Sequence, residues 1–132
     1  MKTFKKWNGK AIEDTGAYMS KEAISFCTAF KNMLKREGKK YGFEPVNVTK
    51  GHYFVSGFAK SADGICIYIS FNIPRGNMPV CFSHSDCRNG CLVRYAKSEK
   101  DYKGESNNFC ALEELPETLD KMFTRRRSKL SA

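Results

Sequence analysis

From residue 20 the apolar positions recur at spacings of three and four. Ala23, Ile24, Cys27, Phe30, Met33 and Leu34 form one stripe, while Lys31, Lys35, Arg36 and Lys39 fall mostly off it. That period marks an amphipathic α-helix. Ser20 stands at the N-cap position, Glu22 in the first turn where the helix dipole favours an acid, and Gly38 and Gly42 are stop signals. The pattern predicts a helix over 20–38, about 28 Å long at 1.5 Å per residue. Ahead of it, residues 1–19 show no clear period and read as an irregular arm tacked onto the body by Phe4, Trp7 and Ile12.

Further on the period shortens to two. Val46 and Val48, then Tyr53-Phe54-Val55 and Gly57-Phe58, are β-formers, with Gly51 breaking the run and Ser61-Ala62-Asp63-Gly64 giving a hairpin loop. Ile65, Ile67, Ile69 and Phe71 alternate with Cys66, Tyr68 and Ser70, a strand with one apolar face. Segments 80–83 and 91–96 are two more strand candidates, separated from the last by a loop at Pro74-Arg75-Gly76-Asn77. Residues 97–108 are polar and read as an exposed loop, of a length that often carries function. Residues 113–127 can close the chain as a helix, with Pro116 in its first turn and Leu115, Leu119, Met122 and Phe123 inward. Residues 125–132, led by the Arg125-Arg126-Arg127 triplet, are expected to fray.

This order predicts an α+β fold: an antiparallel sheet of about five strands, with an N-terminal amphipathic helix and a C-terminal helix packed on one face. The length, 132 residues, suits a single domain over 1–132. The 41% hydrophobic content, with 10 Phe and 6 Tyr, supplies a core and argues against disorder. No apolar run approaches the roughly 18–20 residues of a membrane span. The amino terminus is charged and no apolar stretch follows it, which argues against a secretory signal. The six cysteines therefore read as reduced thiols of a cytoplasmic protein, with Cys27 and Cys66 acting as small hydrophobes.

One group of thiols has a second reading. Cys81, His84, Cys87 and Cys91 offer the four soft ligands of a tetrahedral zinc site, the one cofactor the chain suggests. Their spacing fits neither a standard finger nor a knuckle, and alternation along a strand at 80–83 would set Cys81 and His84 on opposite faces. Filling the core side of a hairpin is the favoured alternative. Catalytic constellations are sparse: His52 and His84 are the two histidines, and no nucleophile elbow, phosphate-binding loop or carboxylate pair accompanies them. A zinc- or cysteine-dependent enzyme centred on His84 is the minority reading, and a non-enzymatic protein is expected.

Charge is the stronger signal. Twenty-three Lys and Arg against 14 Asp and Glu give a net charge of +9. Such an excess attracts polyphosphate through counterion release, and also acidic protein surfaces. Tyr41, Tyr53 and Tyr95 could stack on bases. Lysines along the outer face of the first helix, taken alone, read as a solvated surface.

Gly51-His52 with Tyr53 opens a strand, Arg94-Tyr95-Ala96 lies in another, and Gly104 with Asn107-Asn108 marks the long loop. In this order the motifs, across residues 44–115, resemble a small polyvalent-protein-associated domain of phages, plasmids and integrative elements. The resemblance implies a mobile-element protein that meets host nucleic-acid machinery, most concretely an anti-CRISPR inhibiting an RNA-guided nuclease in the bacterial cytoplasm. Its partner would be a host nucleoprotein complex or one of that complex's protein subunits. A plain DNA- or RNA-binding accessory protein is the alternative. The expected contact residues are Arg94, Tyr95, Lys97, Asn107 and Asn108, with His52, Tyr53, Arg75 and Arg88. The cysteines at 81–91 depart from the domain's pattern. An arginine such as Arg94, forking onto phosphate or carboxylate, could serve a partner or an internal ion pair equally well.

Overall fold

The computed structural model describes residues 1–12, 20–76 and 78–131. Helix α1 spans Lys21–Tyr41, followed by strands β1 (Phe43–Lys50), β2 (Phe54–Ser61), β3 (Cys66–Asn72), β4 (Cys91–Ala96) and β5 (Asn108–Cys110), and then helix α2 (Leu115–Ser131). The strands form one antiparallel meander in the order β1-β2-β3-β4-β5. The α+β architecture is the one the sequence pattern predicts. Among the described residues no helix is long and apolar enough to cross a membrane.

Alternation divides the sheet into two faces. The near face presents Val55, Ala59, Ile67, Ile69, Phe71, Cys91 and Val93 to Phe26, Phe30, Met33 and Leu34 of α1 and to Leu119, Met122 and Phe123 of α2, all in one buried cluster. Phe4, Trp7 and Ile12 of the amino-terminal arm join that cluster, as the arm's apolar residues predict; Phe4 packs its ring against Phe26, Phe30 and Phe82 at 5.1–5.9 Å between centroids. Residues 13–19 of the arm lie outside the described residues.

Helix α1 starts where expected, the Ala23 N–H donating to Ser20 Oγ at 3.4 Å, but it runs past Gly38 to a left-handed C-cap at Gly42. Gly38 is a packing device rather than a stop: a Cβ there would lie 2.1 Å from the Phe43 carbonyl oxygen. Ile24 is 41% exposed, and Phe26 takes the core position assigned to it.

Two further expectations are corrected. Residues 80–83 form no strand; the edge of the sheet beside β4 is taken by β5, which the polar reading of 97–108 concealed. Val80 and Phe82 still reach the core, because their backbone pairs with the arm: Gly9 N–H donates to the Val80 carbonyl at 2.7 Å and Val80 N–H to the Lys10 carbonyl at 2.8 Å. The carboxy-terminal segment expected to fray is helical to Ser131. Two of its three arginines are tied down, Arg126 to the Glu105 carboxylate at 2.7 Å and Arg127 to Asp63 at 2.7 Å. Asp63 in turn is held below the ordinary carboxylate range by Arg127 first and then by the Ser61 hydroxyl.

Candidate functional site

The expected contact residues fall into two groups on different parts of the sheet. Arg94 sits mid-strand on the far face, and the loop 97–107 folds back over it. Its guanidinium stacks 4.5 Å from the centre of the Tyr68 ring, donates through Nη1 to Asn107 Oδ1 at 3.1 Å, and donates through Nη2 to the Tyr102 carbonyl. Gly104, at φ 54°, passes so close that a Cβ there would lie 2.6 Å from the Tyr95 carbonyl oxygen and 3.0 Å from the Arg94 side chain. Tyr102, though 58% exposed, caps Phe58 and Tyr68 with centroid distances of 5.4 and 5.9 Å.

Tyr95 and Asn108 are similarly engaged through their side chains, and Lys97 through its backbone N–H alone. Tyr95 faces the helices, its hydroxyl donating to the Met122 carbonyl at 2.7 Å and its ring lying 3.9 Å beneath the Arg126 guanidinium. Lys97 N–H donates to Asp101, which gathers the N–H groups of Gly104 and Lys103 as well; those backbone bonds, Gly104's foremost, keep its carboxyl below the usual range. Asn108 donates to the Ser106 carbonyl at 3.2 Å. The fork at Arg94 therefore serves the chain's own loop.

The second group gathers at the end of the sheet where β1 turns into β2 and β3 leaves. Tyr53 adopts a left-handed backbone, φ 63°, and its carbonyl accepts the Ile73 N–H at 2.9 Å. That register places Arg75 over the Tyr53 ring at 3.9 Å, with His52 edge-on to the same ring at 4.3 Å. Arg75, Arg88 and His84 line one cavity of about 610 Å³. Asp86, the nearest acid in sequence, turns its carboxylate into its own loop, where the N–H groups of Asn89 and Arg88 hold it below the ordinary range.

The four proposed zinc ligands do not converge. Cys91 enters β4 with its thiol in the core, opposite Cys110 across the strand pair, while Cys87 is exposed and Cys81 half-buried on the loop. Among the described residues no group of three or more His, Cys, Asp or Glu side chains is placed to hold a metal ion. Burial pushes the Cys91 and Cys110 thiols up, Cys110 to about 11. Cys81 goes the other way, drawn down by the Ser83 hydroxyl, 3.2 Å from its Sγ, rather than by the His84 ring.

The feature that sequence reasoning set aside is the outer surface of α1. The described part of residues 1–41 carries ten Lys and Arg side chains against two acids, Glu22 and Glu37. Glu37 is buried. Its burial would raise its pKa, but hydrogen bonds from Lys40 and the amino-terminal ammonium, at 3.0 and 3.3 Å, outweigh that and keep it ionised. Lys31, Lys35 and Lys39 are exposed along one row at a spacing of four, and among the described residues they make no ion pair. Beside them a groove of about 350 Å³ runs between the 3-10 turn Phe4–Trp7 and α1, with Lys6 and Arg36 in its walls and Thr3, Ser25, Thr28 and Asn32 supplying hydroxyl and amide groups. Glu117 and Asp120 lie on α2, Glu117 in its first turn where the helix dipole favours an acid, and Glu113 and Glu114 lie in the 3-10 turn Leu112–Glu114 ahead of it. No protein-family model matches the chain, and comparison with curated proteins and with solved structures returns no match.

Proposed function

We propose that the protein is a non-enzymatic binder of nucleic acid, gripping the phosphate backbone along α1 and the 3-10 turn before it. The observation that carries this reading is the density of charge on one helix and its groove: Lys6, Lys31, Lys35, Arg36 and Lys39 make no ion pair among the described residues, while Arg94, Arg126 and Arg127 are spent on internal contacts. Residues four apart on a helix rise about 6 Å. Every second phosphate on one strand of a duplex rises about 6.8 Å. The row Lys31, Lys35 and Lys39 therefore suits a phosphate track, and the neighbouring groove offers hydroxyl groups that donate to phosphate oxygens.

The finer reading, inhibition of a host nucleic-acid-handling complex such as an RNA-guided nuclease, draws on the motif resemblance to mobile-element domains and makes the bound nucleic acid part of that complex. Fluorescence anisotropy with a labelled duplex and a labelled single strand, over about 50–200 mM salt, tests the general reading. Neutralising five phosphates gives a log–log slope of about −4 to −5. Binding that holds its affinity across that range, or no binding to either probe, would overturn the proposal.

A further inference from the structure

The cavity at the sheet's end is chemically distinct from the basic face of α1. Its walls include Phe71, Pro74, Pro79 and Met78, the last 64% exposed although it is a large apolar side chain. Its volume, about 610 Å³, lies within the roughly 300–1,000 Å³ of small-molecule sites, which combine apolar walls with a few convergent polar groups. Here two of the polar lining groups, Arg75 and Arg88, are cationic. Arg75 is fixed over the Tyr53 ring, which lowers the entropy lost when its fork engages a ligand. Arg88 makes no ion pair among the described residues, because Asp86 is turned away into its own loop.

We propose that this cavity is a binding site for a small organic phosphate, a phosphomonoester carried on an aromatic or otherwise apolar body. Two permanent guanidinium charges match the roughly −1.5 to −2 charge of a phosphomonoester better than the single charge of a carboxylate. The apolar walls match the body, and the phosphate would sit between Arg75 and Arg88. The site does not depend on nucleic acid binding along α1, since it lies on other elements.

Cys81 lies in the wall of this cavity and Cys87 is exposed outside its lining, so the chain carries its own reporter and control. The experiment measures iodoacetamide modification of the two thiols by peptide mass mapping, at constant ionic strength, with adenosine monophosphate, adenosine or inorganic phosphate as probes. The monophosphate at millimolar concentration is expected to slow Cys81 tenfold or more while Cys87 changes less than twofold. Arg88→Ala, and independently Arg75→Ala, should raise the concentration needed for protection at least tenfold, with unchanged thermal melting showing that each variant folds. Absence of protection, equal protection of both cysteines, or undiminished protection in both variants would overturn the proposal. Protection by adenosine alone, or by inorganic phosphate alone, equal to that of the monophosphate would also overturn it, since one half of the stated ligand would then contribute nothing.

Discussion

Arg94 Nη1 donates to Asn107 Oδ1 across 3.1 Å, and this bond closes the loop 97–107 over the far face of the sheet. With the bond to the Tyr102 carbonyl and the stack on Tyr68, it makes Arg94 the latch of that loop. A residue with such contacts acts on stability before it acts on any partner. Arg94→Ala is expected to cost about 1.5–3 kcal/mol, the range for hydrogen bonds made by a charged group. Urea denaturation gives the cost, and faster amide exchange across residues 98–106 would locate it. An unchanged urea midpoint together with lost nucleic acid binding would make Arg94 a contact residue instead.

Gly38 separates helix propensity from packing. On propensity alone Gly38→Ala would stabilise α1 by about 1 kcal/mol. The Phe43 carbonyl oxygen, 2.1 Å from where that methyl would sit, reverses the sign. The variant is expected to lose more than about 2 kcal/mol, because backbone rather than a flexible side chain must move. Thermal melting of the variant beside wild type decides it, and a raised melting temperature would contradict the packing account.

Much of the fold was legible because its signals are local. The stripe through Ala23, Phe30, Met33 and Leu34, the N-cap at Ser20, and the alternation from Ile65 to Phe71 all survive in the structure. What escaped depends on distant partners. Gly38 looks like a stop until Phe43 is seen against it. Strand β5 has three residues and no pattern of its own; it exists because β4 offers an edge. Val80 and Phe82 are buried like strand residues, yet they owe their position to the arm. The site was less legible still. Arg94, Tyr95 and Asn107 carry the side chains expected of a binding surface, and internal geometry consumes them. The α1 lysines looked merely solvated, and only the distribution of acids in space sets them apart.

The thiols carry a pH dependence. Cys110 is pushed up to about 11 and Cys91 upward as well, both by burial, so the folded state favours the neutral thiols. Their stabilising contribution is complete below the ordinary thiol value, near 9, and is lost as pH rises through the folded value. Stability is expected to fall between about pH 9 and 11, and the Cys91→Ala/Cys110→Ala pair should flatten that slope even if it lowers stability at neutral pH. Denaturation midpoints from pH 7 to 11 test this. A slope equally steep in the double variant would assign the effect to other groups.

The central claim, that the α1 face rather than net charge binds nucleic acid, is tested most directly by two charge-matched double variants. Lys31→Glu/Lys35→Glu alters the α1 row, and Arg125→Glu/Lys129→Glu alters the exposed end of α2 by the same total charge. In anisotropy titrations against one duplex, the first is expected to raise Kd at least tenfold and flatten the salt slope by about 2, while the second shifts Kd by less than about threefold. Equal losses in the two variants would show that overall charge does the binding, and would contradict the account.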